Sequence, residues 1–269
     1  MRMSNLVLTI TLSFSIACTA PTAEQAPVST EVESTVTAAS EAQPPSPVSR
    51  QTVIAMVGDD SLSTVRTLVP RPLPADVERL LAVVARTGGD FGWTSICADS
   101  RRPMLRVHIE PPPAAEPEPA LPQNVFLREA AEIQRNARRQ RHTELVRQWQ
   151  QRTDAALAVF MAEMRGRLAS PITCSRSDVF GAIARALLML CEPDIATGTA
   201  PDGAQKKTVL LVVSDGDDTA GHRPVAVPDA VHTVIVNGIG TRGDLRLSNA
   251  VAFEALDPSI RHIERFSQE

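Results

Sequence analysis

The chain of 269 residues is 43% hydrophobic and 22% charged, a composition that supports one sizeable globular core with appendages. A net charge of −4 and a pI near 5.8 exclude any general electrostatic attraction to nucleic acid, which is not expected as a partner. Seven Phe, two Trp and no Tyr leave few rings for base stacking or an aromatic cage, so the core must be mainly aliphatic.

Residues 1–18 have the form of an export signal: Arg2 supplies a positive start, and residues 6–17 are an apolar run too short to span a membrane as a mature helix. The run ends Ser15-Ile16-Ala17-Cys18, which resembles a bacterial lipobox, in which Cys18 becomes the lipid-bearing N-terminus. Such boxes usually begin with Leu where this chain has Ser15, so cleavage near Ala20, releasing a soluble secreted or periplasmic protein, stands as the alternative. Both outcomes place the domain outside the cytoplasm. With the lipid, it is a membrane-anchored lipoprotein, and Thr19, which is not Asp, permits sorting to an outer membrane. Residues 19–50 are Pro, Ala, Ser, Thr and Glu with few large apolar groups. They cannot bury enough surface to offset their ordering entropy, and are expected to form a disordered tether spanning on the order of 30 Å.

From residue 51 to 269 strands and helices alternate. The run 52–58 reads as a buried strand and 76–86 as a helix with apolar Val77, Leu80, Leu81 and Val84; between them Ser63 opens a short turn that Pro70, Pro72 and Pro74 separate from the helix. Residues 91–97 and 104–109 read as two strands joined by a polar turn. A Pro-rich breaker leads to a long helical insertion over 123–168, with Phe126, Ala130, Ile133, Ala137, Leu145, Trp149, Ala156, Phe160, Met164 and Leu168 at helical spacing. Its middle is rich in Arg, which reads as a solvated face rather than a basic binding patch. A helix over 178–190, strands over 208–214 and 231–237, a last helix around 245–256 and a weak strand near 259–266 complete the pattern. Such alternation predicts an α/β fold, an open, doubly wound, mainly parallel sheet of Rossmann-like type.

Cys174 and Cys191 fall at opposite ends of one predicted helix, roughly 20 Å apart and too far to bridge; Cys97, at a strand end, is the expected partner of Cys174. The five His are scattered, and no Cys/His cluster suggests zinc.

The first strand ends in Asp59-Asp60-Ser61-Leu62-Ser63, a D-x-S-x-S pattern, and a later buried strand ends in Ser214-Asp215-Gly216-Asp217-Asp218. Ligands of open α/β sheets sit outside the carboxyl ends of the strands, where the strand order reverses. In the order 3-2-1-4-5-6 the strands ending in Asp59 and Asp215 are neighbours at that point, joined by a loop carrying Thr173, Ser175 and Ser177. Hydroxyls and carboxylates together suit Mg²⁺ or Mn²⁺, with Ca²⁺ a further candidate.

The segments VIAMVGDDSLST, SRSDVFGAIARAL, TVLLVVSDGDDTAG and VHTVIVNGIG resemble, in order, the von Willebrand factor A domain over most of residues 51–240. The resemblance implies a metal-ion-dependent adhesion site built from Asp59, Ser61, Ser63 and Asp215. The further hydroxyl is Ser177, in the Ser177-Asp178 pair that matches the family's Thr-Asp, or Thr173. Leu62 departs from the usual Gly, and the 123–168 helix exceeds the usual family element. The expected function is capture of a partner protein presenting a carboxylate, and not catalysis. A metal-independent scaffold using the long helix is the alternative, with a hydrolase using Asp59, Asp60, Asp215 and Asp217 a third. The G-x-G-x-x-G at 238–243 reads as a strand-ending turn, since too little chain follows for a dinucleotide domain, and Asp244 reads as a helix cap rather than part of an adhesion tripeptide.

Overall fold

The structure, a computed structural model, describes residues 51–98, 100, 103–118, 120–196, 206–237, 247 and 249–269. The export signal, Cys18, the tether, the 238–243 glycine turn and Asp244 lie outside these.

Six strands, β1 (Gln51–Asp59), β2 (Gly89–Ile96), β3 (Leu105–Ile109), β4 (Lys206–Val213), β5 (Val231–Val236) and β6 (Ala250–Phe253), form one sheet in the order β3-β2-β1-β4-β5-β6. All neighbours run parallel except β2 and β3, which are antiparallel. The fold is a Rossmann-like α/β sheet, mainly parallel as the sequence pattern predicts, and β1 and β4 are neighbours. The helices are α1 (Ser63–Thr67), α2 (Pro74–Thr87), α3 (Val125–Ala169), α4 (Val179–Leu190), the short α5 (Pro193–Ala196) and α6 (Leu256–Gln268).

Strand β1 is central because it is apolar on both faces, as a parallel strand covered on both sides must be. Its Ile54 and Met56 join a core under α2, α3 and α6, while Val53, Ala55 and Val57 face α4 and its Ile183, Ala186 and Leu187. Gly58, near the end of β1, is a close-approach position: a methyl there would run into the Trp93 ring on β2. The ring thereby closes the sheet directly below the residues that begin at Asp59.

Helix α3 has two regimes. Its C-terminal part buries Phe160, Met161, Met164 and Leu168 on the sheet, whereas Phe126, Leu127, Ile133 and Leu145 in its N-terminal part are exposed. The Pro-rich segment before it runs back along the helix and braces it through Glu118, which bonds Arg135 and Arg139, and through the Glu110 carbonyl, which accepts from Trp149 Nε1 at 2.8 Å. Hydrogen bonds from Arg139 and Arg135 hold the exposed Glu118 carboxyl down at about 2. Much of the Arg-rich stretch is thus a solvated, ion-paired face. Among the described residues no helix is both long and apolar enough to cross a membrane.

The C-terminal elements differ from those predicted. Residues 250–253 are an edge strand and 256–268 a helix, the reverse of the expected helix then strand. Leu256, Ile260 and Ile263 recur at helical spacing and are buried together, each contributing about 1.5–3 kcal/mol. Strand β6 lies at the edge, with Val251 and Ala252 exposed, so it carries no alternation to betray it.

Helix α6 is tied to β5 by His232 and His262, whose Nε2 atoms lie 2.8 Å apart, with the His232 ring stacked on Phe266. Burial, reinforced by His262, pushes the His232 imidazole below its ordinary value of 6.5. A base depressed by folding binds fewer protons folded than unfolded, so its stabilisation is complete above the unfolded value and declines as pH falls below about 6.5. Thermal melts at about pH 7.5 and about pH 5.5 should therefore show an acid-side loss of stability that is smaller in His232→Phe, which keeps the stacking and removes the titration.

Candidate functional site

The site is built at the carboxyl ends of β1 and β4. Register pairs Gly58 with Val213, so the chains emerge side by side as Asp59 and Ser214. Asp59 is 6% exposed. Its Oδ2 accepts from Ser214 Oγ at 2.6 Å and its Oδ1 from the Ser61 N–H at 2.9 Å. Ser61 and Ser63 place their hydroxyls 2.8 Å apart. Helix α1 starts at Ser63, and one turn on Thr67 Oγ1 lies 3.1 Å from both the Ser63 carbonyl and Asp215 Oδ2, donating to them. Thr67 therefore links the D-x-S-x-S loop to the acid at the end of β4.

Two buried acids result, Asp59 at 6% and Asp215 at 1% exposure. Burial pushes the Asp59 carboxyl up and Asp215 adds to this, against the opposing hydrogen bonds from Ser214 and Ser61. An uncompensated charge of this kind is relieved by a cation. The nearby side-chain donor set is all oxygen, two carboxylates and two hydroxyls, which fits a hard divalent ion such as Mg²⁺ or Mn²⁺.

The remaining candidates lie on the loop before α4. An isolated bridge pairs Ser61 with Cys174, and the Leu62 N–H donates to the Cys174 carbonyl at 2.9 Å. Cys174 is bonded to Cys97, with 5.3 Å between their Cα atoms, as the sequence led us to expect. Thr173, next to it, is exposed and lines a cavity of about 640 Å³ together with Asp60, Arg71, Trp93, Arg167 and Ser175. Ser177 is buried, its N–H donating to Thr219 Oγ1 at 2.7 Å and its carbonyl accepting from the Ala220 N–H at 3.0 Å. Thr173 thus neighbours the D-x-S-x-S loop through Cys174, whereas Ser177 is held to the loop after β4 through Thr219 and Ala220. Of the other acids, Asp60 lies 3.8 Å from Arg71, and Asp217 is exposed.

Sequence reasoning did not single out Ser214 or Thr67 as supports for the two acids. Thr67 follows Ser63 by four residues, one helical turn, which was the available signal. The histidines are also less scattered than the sequence suggests, since His232 and His262 meet at 2.8 Å, and His222 Nδ1 lies 2.6 Å from Asp178 Oδ1.

No protein-family model matches the chain, and no curated protein does. The solved structure of proximal thread matrix protein 1 from the mussel byssus is similar at a TM-score of 0.35 and 11% identity. The match covers 82% of this chain and 48% of that one, so this chain spans about half that structure's length. At that score the likeness carries no argument about site or function.

The Cys97–Cys174 bond joins the end of β2 to the loop that pairs with Ser61, across a separation of 77 residues. Replacing both cysteines by alanine should lower unfolding free energy by about 2–4 kcal/mol, read from urea denaturation.

Proposed function

We propose that residues 51–269 form a von Willebrand factor A-type binding module that captures a partner protein through a divalent cation and a carboxylate of that partner. The cation is Mg²⁺ or Mn²⁺, Ca²⁺ being a further candidate, and the residues that would hold it are Asp59, Ser61, Ser63 and Asp215 with Ser177 or Thr173. The observation that carries this reading is the pair of hydroxyls of Ser61 and Ser63, 2.8 Å apart, beside two buried carboxylates at neighbouring strand ends. When bound, the ion supplies an electrophilic point for an incoming carboxylate oxygen. Neutral hydroxyl ligands would leave more of its charge available than carboxylates would. Ser214 orients Asp59, and Thr67 holds Asp215 against α1. The lipid on Cys18 and the 19–50 tether would hold the module outside the cytoplasm, off a membrane surface.

Titration calorimetry with Mn²⁺ should show one equivalent bound by the wild type and none by Ser61→Ala. Ser214→Ala, which removes the hydrogen bond to Asp59 and the one accepted from the Gly216 N–H, should weaken binding by about 10–100-fold. Absence of Mg²⁺ or Mn²⁺ binding by the wild type would remove the metal reading while leaving the fold intact.

A second reading has an observation of its own. Phe126, 91% exposed, and Ile133, 63% exposed, lie seven residues apart on one side of α3 and suit a metal-independent scaffold. If α3 is the interface, partner binding should persist in EDTA and fall at least tenfold in the Phe126→Ser, Ile133→Ser double variant. If the cation is the interface, EDTA should abolish binding and the double variant should leave it unchanged.

A further inference from the structure

A second group of ligand atoms lies where the start of α4 meets the loop after β4. Asp178 is the N-cap of α4; its Oδ1 accepts from the Gly181 N–H at 2.9 Å and its Oδ2 from the Ser100 N–H at 3.2 Å. These bonds fix a carboxylate whose side chain is 8% exposed. His222 brings its Nδ1 to 2.6 Å from Asp178 Oδ1 while its side chain remains 58% exposed. Asp218 closes the group, and one ligand atom from each of the three residues lies within 4.8 Å of the other two. The Asp218 carboxylate is itself oriented, accepting from the Ala220 N–H at 3.1 Å and the His222 N–H at 3.2 Å.

We propose that Asp178, Asp218 and His222 form a second divalent-metal site, selective for zinc over the Mg²⁺ and Mn²⁺ of the first. The donor set differs in kind from the all-oxygen arrangement at Asp59 and Asp215. An imidazole nitrogen with two carboxylate oxygens suits borderline-soft ions, whereas hydroxyls and carboxylates alone suit Mg²⁺. Three protein ligands with an exposed histidine leave the fourth position to water. Gly181 and Ser100 supply the outer hydrogen bonds that hold a ligating carboxylate in place. Zinc ligands around one ion stand somewhat farther apart than the present 2.6 Å contact, and the exposed His222 side chain has room to give that distance.

The site's location assigns its role. Asp178 belongs to α4, while Asp218 and His222 belong to the loop after β4, and that same loop bonds Ser177 through Thr219 and Ala220. An ion there clamps the two segments together and fixes the position of Ser177. The site does not depend on the adhesion-type reading, because none of its three ligands is shared with it.

Zinc titrated into the full chain at about pH 7.5, above the ordinary histidine range and with excess Mg²⁺ present, tests this. Wild type and Ser61→Ala should each bind one zinc equivalent, because the site is independent of the D-x-S-x-S loop. His222→Ala and Asp218→Asn should each lose affinity at least tenfold; both positions reach solvent, and far-UV circular dichroism confirms their folding. His262→Ala should bind as wild type, which separates this site from the His232–His262 pair. The proposal is overturned if wild type takes up no zinc, or if binding survives in His222→Ala, or if it disappears in Ser61→Ala or His262→Ala instead. Loss of Mn²⁺ binding in Ser61→Ala with zinc retained leaves both proposals standing; zinc binding without any Mn²⁺ binding removes the adhesion-type reading alone.

Discussion

At the end of β1 the Asp59 carboxylate is buried with both oxygens engaged, Oδ1 by the Ser61 N–H and Oδ2 by Ser214 Oγ. One bond shapes the loop that follows β1, and the other fastens that loop to the neighbouring strand. Parallel pairing of β1 with β4 makes this possible, since it delivers two strand ends to the same edge of the sheet at the same height. Parallel strands at a switch point also diverge in their connections, which opens space above them. The carboxylate therefore serves as a tie between segments far apart in sequence. Its burial carries a desolvation cost that its hydrogen bonds offset only in part, because burial still holds the carboxyl above its ordinary range.

The surroundings restrict how that edge can move. The Trp93 ring packs over Gly58 immediately below Asp59, the Cys97–Cys174 bond draws the loop before α4 towards β2, and the Leu62 N–H then bonds Cys174 from the other side. Each is a different kind of constraint: steric contact, covalent linkage and backbone pairing. A polar site with two close carboxylates resists collapse only when its walls are over-determined in this way. The long helix contributes on its own terms, since its C-terminal part belongs to the core and its N-terminal part is braced chiefly by exposed ion pairs of small energetic value.

Much of this arrangement was legible in the sequence for a definite reason. Continuous apolar runs at β1 and β4 mark buried parallel strands, and acids placed directly after such runs fall at the carboxyl edge whatever the loop details. Cys97 was identifiable as the partner of Cys174 because helix length separates Cys174 from Cys191. What escaped notice depends on contacts without a periodic signature. Thr67 reaches Asp215 across 148 positions, and His222 reaches Asp178 across 44, neither within a repeating pattern. At the C-terminus, β6 is a four-residue edge strand with little burial, so a helical stripe just beyond it was assigned to the wrong element.

The loop after β4 shows how one acidic run can serve several directions. Asp215, Asp217 and Asp218 look interchangeable in sequence, but backbone geometry separates them. Gly216, at φ 78°, turns the chain where a side chain would be strained, and its N–H donates to Ser214 Oγ. Asp215 Oδ1 is occupied by the Asp217 N–H, which leaves Oδ2 towards Thr67. Asp218 turns its oxygens back onto Ala220 and His222 of its own loop, which aims that loop at α4. Asp217, between them, is left exposed. Asp215 thus spends one oxygen fixing the local turn, and Asp218 spends both. The turn in turn decides which neighbour the acid addresses, β1 and α1 for Asp215 and the start of α4 for Asp218. Adjacent carboxylates would repel if they converged on one point; a turn that sends Asp215 to Thr67 and Asp218 to the start of α4 lets three acids in four positions coexist beside a buried Asp59.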